Sequence, residues 1–250
     1  MPGPKTVLGK MMRVLMAFSV EETVLGFSDI QTRTGLAKGT LHRLIGDMVA
    51  AQLLERNGGR YRLSRLVFEL GMRASVERTL LEVATPFLQE LIERTRETVH
   101  LGVREGSEVV YVAKMAGHRQ ASSPSRLGGR MPLHATAIGK VLMAWAPDEV
   151  RRSALVSPLK RCAPRTIVNA RVLRQQLDEI IAAGVAYEYE ESAIGITCVA
   201  APILDVNDLA IGGVSVTGPV GRFHPSNHAI AVRATASGIA VTLARRIDRP

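Results

Sequence analysis

The sequence predicts an α+β protein, with an N-terminal winged helix-turn-helix joined by a linker helix to a larger α+β domain. Three observations carry this. The first eighty residues string together helical apolar stripes and finish on a short hairpin pattern. The remainder mixes strand-like and helix-like stretches with hairpin-length links. Positive charge gathers at the N-terminal end: residues 1–78 hold 12 basic against 7 acidic side chains, the rest 20 against 16, for a net +9. Less than a third of the chain thus carries over half of the excess, which favours a polyanionic partner because each neutralised phosphate releases condensed counterions.

A chain of 250 residues is long enough for two domains with adequate cores. The expected division is residues 1–64 for the winged helix, 65–80 for the linker helix and 81–250 for the larger domain. The only cysteines, Cys162 and Cys198, are too few for a disulfide framework and fit a reducing, cytoplasmic setting. Met1 to Lys10 lacks the charged, apolar and small-residue segments of a secretory leader, and no apolar run approaches the roughly 20 residues of a bilayer span.

From Lys5 to Phe18, Val7, Leu8, Met11, Met12, Val14, Leu15 and Phe18 fall near helical spacing, with Lys10 and Arg13 opposite. Ser28 is positioned to cap a second helix, with Gln31 completing a capping box, and Gly35 to stop it. A third helix buries Leu41, Leu44, Ile45, Met48 and Val49. Lys38, Gly39, Thr40, His42 and Arg43 are left at its N-terminal end, which in this motif enters the major groove. Arg43 can donate to guanine O6 and N7, while Thr40 and Lys38 suit phosphates near the positive helix start. Leu53–Arg56 and Arg60–Leu63, joined by Asn57-Gly58-Gly59, read as a hairpin wing with Arg60 beside its tip. With Arg33 from the second helix, these residues form the candidate DNA-binding set. Three-helix modules with a hairpin also bind proteins, but here the cations fall on the helix end and the wing rather than all round.

Ser64 is placed to cap the linker helix, which should run to about Arg78; Thr85-Pro86 should kink or restart it, and a further helix should end near Thr95. Strands are expected at Val99–Val103, Val109–Ala113, Val185–Tyr189, Thr197–Leu204 and Ala210–Val216, with helices near 135–145, 169–183 and 226–247. Hairpin-length links at 105–107 and 205–208 imply a mostly antiparallel sheet.

Several stretches then carry a family likeness: Leu41-His42-Arg43-Leu44, Arg60-Tyr61-Arg62-Leu63, Glu97–Leu101, Val109–Val112, Pro132–Lys140, Cys198–Ile203 and Gly212–Pro219. In this order and spacing, over some two hundred residues, the chain resembles the IclR family of bacterial transcription regulators. The resemblance implies a GAF-like effector domain, a homodimer or dimer of dimers on palindromic operator DNA, and a small organic effector, with no cofactor and no metal. It also implies that helix one is the dimerisation element, although packing within one subunit would use the same apolar face. Carried over position by position, the family's effector-lining residues are Ala137, Ile138, Glu188, Cys198, Ser215 and Thr217. The chemistry suits a small polar ligand, since free amides at a helix start bind carboxylate oxygens and hydroxyls two apart share a strand face. Glu188 opposes a simple anion unless it is protonated or accepts a ligand hydroxyl. The chain departs from the family at Gly39, commonly serine, and at Arg96, commonly glycine.

The competing class is a small-molecule-binding or hydrolytic enzyme with an accessory helical domain. Its motifs fail: His134 stands where a P-loop ending in Gly139-Lys140 needs glycine, and Thr217 stands where a nucleophile elbow needs glycine. His224 and His228 lack a third ligand at suitable spacing, and Cys198 with His134 is more simply read as packing. The reading is therefore a ligand-responsive regulator, not an enzyme, and the family resemblance implies control of a neighbouring catabolic operon.

Overall fold

A computed structural model of the chain describes residues 6–19, 21–73, 78–117, 123–156 and 158–247. The chain forms two compact units, within residues 1–76 and 77–250.

The smaller unit opens with α1 (Val7–Leu15), capped by the Thr6 hydroxyl, which accepts from the Gly9 amide at 3.0 Å; the expected start at Lys5 lies outside the described residues. A two-residue strand, β1 (Val24–Leu25), leads into α2 (Phe27–Thr34). The cap of α2 is Gly26 rather than Ser28: Asp29 reaches back to accept the Gly26 amide at 2.8 Å, so a capping pair two residues earlier than expected sets the helix start. After Gly35 comes α3 (Lys38–Ala50), burying Leu41, Leu44, Ile45 and Met48 against Val14, Leu25, Ile30 and Leu54. β2 (Leu54–Asn57) and β3 (Arg60–Leu63) pair antiparallel, with β1 on the other edge of β3. Gly58 and Gly59 both hold positive φ (+55° and +77°), the conformation a two-residue hairpin turn demands at both positions. The unit ends in α4 (Arg65–Arg73). Ser64 precedes it, but its hydroxyl donates to the Gln52 carbonyl and ties the helix start to the end of α3 instead of capping α4.

The larger unit begins with α5 (Arg78–Thr95), which runs without interruption through Pro86. The expected break is absent because α5 buries Val83, Ala84, Leu88 and Leu91 on both sides of the proline, and packing of that face outweighs one missing backbone bond. Arg96 ends the helix at φ +57°, its amide bonded to the Ile92 carbonyl at 2.7 Å: a non-glycine does occupy the left-handed position. Six strands follow: β4 (Thr98–Glu105), β5 (Glu108–Met115), β6 (Arg130–Pro132), β7 (Ala186–Tyr189), β8 (Ile196–Leu204) and β9 (Ala210–Pro219). They form one antiparallel sheet in the order β6-β5-β4-β9-β8-β7. α5 and α9 (Ala229–Ile247) cover one face through Val99, Leu101, Val199, Val214 and Val216. α6 (Ala137–Ala144) and α8 (Ala170–Ala183) cover the other, with α7 (Asp148–Val156) beyond them.

Candidate functional site

In the smaller unit, α3 buries one stripe and presents the other. Lys38, Gly39, His42 and Arg43 are exposed and Thr40 is half-buried. Ala37 precedes the helix and supplies no side-chain cap, so the amides of its first turn are left for an outside acceptor. His42 leans on Phe27 at 6.2 Å between ring centroids. Among the described residues, no carboxylate pairs with Lys38, Arg43 or Arg56. Arg56, exposed on β2, was not singled out in sequence; its alternation with Arg60 and Arg62 along the hairpin was the available signal. Arg60 sits 3.8 Å from the Asp29 carboxylate, an exposed pair of the kind worth well under ~1 kcal/mol, which a phosphate can displace. Arg33 differs. Its guanidinium is paired with Glu22 and donates to the Ala17 carbonyl at 2.9 Å, so it spans from α2 to the segment after α1 rather than standing free with the others.

In the larger unit, strand register brings the expected effector residues together. Thr98, Thr217, Cys198 and Glu188 pair in succession across β4, β9, β8 and β7, and the neighbouring row is His100, Ser215, Ala200 and Ala186. Partners directly opposite share a face, so Ser215, Thr217, Cys198 and Glu188 all look toward α6. Ala137 and Ile138 start that helix, which Thr136 caps by accepting the Gly139 amide at 3.0 Å. Gly139 is required by proximity: a Cβ there would lie 2.1 Å from the Leu133 carbonyl oxygen. All six residues are buried.

A polar chain joins them. The Cys198 thiol lies 3.1 Å from the Thr217 hydroxyl, which is 3.4 Å from His100 Nδ1; His100 Nε2 meets the Ser125 hydroxyl at 2.7 Å. Ser125 is also 2.7 Å from Ser123 Oγ, and its carbonyl accepts from Lys114 Nζ at 2.6 Å. Burial first, and the Lys114 charge second, push the His100 imidazole down to about 3, so it is neutral. Burial raises the Tyr111 phenol and holds the Cys198 thiol well above its usual range. Tyr111 packs on His100 at 5.2 Å. A protonated thiol, an un-ionised phenol and a neutral imidazole held between hydroxyls are suited to donating and accepting hydrogen bonds, not to nucleophilic attack. His134 Nε2 donates to the Lys160 carbonyl at 2.8 Å, and so is occupied away from Cys198.

Glu188 is tied down on one side. Its Oε1 accepts from the Glu191 amide at 2.8 Å, the Ser192 amide at 3.0 Å and the Ser192 hydroxyl at 3.1 Å, which folds the β7–β8 turn under α6. Lys140, from the N-terminal half of α6, donates to Glu191 Oε1 at 2.5 Å and to the Tyr187 carbonyl at 3.3 Å. His100, Tyr111 and Glu191 escape a sequence reading that looks for catalytic or metal-ligating patterns, and Lys140 enters it only through a P-loop match that fails.

Comparison with known proteins accounts for both units. The family described as "IclR helix-turn-helix domain" matches residues 7–58, and "Bacterial transcriptional regulator IclR C-terminal" matches residues 72–241. The chain is 34% identical over 217 residues to the HTH-type transcriptional regulator KdgR of Escherichia coli, covering 86% of this chain and 82% of that protein. It is 34% identical over 210 residues to the regulator XynR of the same organism, covering 82% and 83%. Among solved structures, an IclR homolog from Microbacterium hydrocarbonoxydans complexed with 4-hydroxybenzoate superposes with a TM-score of 0.87 at 32% identity, covering 96% of this chain and all of that one. Thermotoga maritima IclR gives 0.80 at 29% identity, covering 95% and 98%. With one family model matching the helix-turn-helix unit and the other matching most of the larger unit, this chain is a transcriptional regulator, not an enzyme, and it belongs to the IclR family.

Proposed function

We propose that the chain binds operator DNA by inserting the start of α3 into the major groove, with the β2–β3 wing on the flanking backbone, and releases or engages it in response to a small organic effector. The observation that carries the DNA half is the uncapped N-terminus of α3 with Lys38 and Arg43 free of carboxylates beside it. Lys38, Gly39 and Thr40 offer amides and side chains to phosphate, Arg43 and His42 face the bases, and Arg56 and Arg60 serve the wing. Arg33 acts on this surface from behind, by holding α2 in place.

The effector half rests on the row Ser215, Thr217, Cys198 and Glu188 opposite the amides of Ala137 and Ile138. A carboxylate suits the helix start, and the hydroxyls suit a polar substituent at the other end. The 4-hydroxybenzoate bound by the Microbacterium homolog has both groups. Exposed Val7, Leu8 and Met16 on and just after α1 favour a dimer, matched to a palindromic operator. No helix among the described residues is long and apolar enough to cross a membrane, and we place the protein in the cytoplasm, regulating a catabolic operon adjacent to its own gene.

The test is selection of operator sequences from a random pool by the full-length protein, followed by a gel shift on the promoter region beside the gene. Recovery of a palindromic site present in that promoter is the expected result. Enrichment of no sequence over many rounds would overturn the assignment.

A further inference from the structure

Behind the effector row lies a sealed group of three ionisable residues from three elements. Glu188 on β7 and Lys140 on α6 are fully buried, and Glu191 in the β7–β8 turn is nearly so. This group holds one ammonium and two carboxyls. Lys140 gives its proton-bearing nitrogen to Glu191 and to the Tyr187 carbonyl, and Glu188 receives none of it. Glu188 Oε1 is saturated by three donors from Glu191 and Ser192, whereas Oε2 is buried without a hydrogen-bond partner. Glu191 Oε2 also lacks a partner, but its carboxylate is charge-paired. The other groups facing Glu188 are the Cys198 thiol on β8 and the Tyr111 phenol on β5, both un-ionised.

An ionised Glu188 would therefore be a second buried anion around a cation already neutralised. Three donors on Oε1 favour the anion. The neutral acid, however, keeps Oε1 as a carbonyl-type acceptor for all three and places its proton on Oε2, the oxygen that has no partner. Burial is the leading influence on this carboxyl and raises it, outweighing the Cys198 thiol and the Ser192 and Glu191 amides, which favour the anion.

We propose that folded Glu188 is held as the neutral acid at neutral pH, with the proton on Oε2, so that Lys140, Glu191 and Glu188 together carry no net charge. Resting on the effector-site reading above, this removes the like charge that would repel a bound carboxylate, and it makes binding of a monocarboxylate conditional on that proton. Effector affinity then falls as pH rises through the Glu188 titration, by up to about tenfold per pH unit, because each binding event takes up one proton. Glu188→Gln preserves the acceptor, replaces the O–H by N–H and abolishes the dependence.

The deciding experiment is infrared spectroscopy of full-length protein labelled with glutamate carrying a 13C side-chain carboxyl. The expected result is an isotope-shifted stretch of a protonated carboxyl at neutral pH that vanishes in Glu188→Gln. Absence of that band in the wild type, or its persistence in the variant, overturns the proposal. Should the variant not fold, loss of the wild-type band on raising pH while the protein stays folded still supports it, and absence of any band at neutral pH still refutes it. A separate arm measures protection of the wild type by benzoate, 4-hydroxybenzoate and pyruvate across pH. If none of them binds at any pH, the carboxylate-site reading fails while the infrared band still decides the proton; pH-independent binding in the wild type counts against the coupling.

Discussion

The Lys140 ammonium lies 2.5 Å from the Glu191 carboxylate, across 51 residues of sequence, with neither side chain open to bulk water. This pair clamps α6, whose start faces the effector row, to the turn that carries Glu188. A buried ion pair adds little to stability relative to an apolar pair of the same volume, yet removing one partner leaves a buried charge. Lys140→Met should therefore cost about 3–5 kcal/mol in urea denaturation of the full chain, and Lys140→Met with Glu191→Leu should recover most of that loss. A single variant within ~1 kcal/mol of wild type would show that water reaches the pair and that the clamp is unimportant.

His100 makes stability depend on pH. Its imidazole titrates near 6.5 when unfolded and is pushed down to about 3 when folded, so between these values the unfolded chain binds more protons. Stability present above pH ~6.5 is then lost progressively as pH falls toward ~3, by at most about 5 kcal/mol. His100→Gln, which keeps a hydrogen-bonding group between Ser125 and Thr217, should flatten the acid limb of a plot of urea-unfolding free energy against pH. An unchanged acid limb would mean that carboxylates, not this imidazole, govern acid unfolding.

What the sequence made legible divides along local and long-range lines. The α3 stripe, the Gly58-Gly59 turn and the pairing of Ser215 with Thr217 on one strand face are set by periods of 3.6 and 2, which a single chain displays directly. The missed elements had little local signature: β6 is three residues long, and α7 is mostly polar with only Leu155 buried. Pro86 points to a break because its local cost is visible, while the strands and helix against which the α5 apolar face packs lie far along the chain. Lys140 stands out in the sequence only beside Gly139, in a P-loop pattern that fails. Its partner lies in another element, and no spacing rule joins residues 140 and 191.

Arg33 and Arg43 should separate under mutation, although both are basic and near the DNA-facing surface. Arg43 is exposed and unpaired with carboxylates, so Arg43→Ala should weaken specific binding by about 1–3 kcal/mol and relax preference at one base position. Arg33→Ala removes a tie between α2 and the Ala17 carbonyl, and should lower thermal stability slightly while affecting specific and non-specific DNA alike. Fluorescence anisotropy on operator and scrambled duplexes distinguishes the two. Equal loss on both duplexes for Arg43→Ala would remove it from base readout.

The wing carries its own signature, because a phosphate contact changes salt dependence without changing sequence preference. Arg56 is exposed on β2 with no carboxylate beside it, whereas Arg62 on β3 is held 2.5 Å from Glu55. Arg56→Ala should reduce the slope of log affinity against log salt by about one and leave the preferred operator unchanged. Arg62→Ala should alter the slope less, since its charge is already balanced within the hairpin. The reverse order, with Arg62 dominating the salt slope, would show that the Glu55 pair opens on DNA and that the charge balance of the free wing does not survive binding.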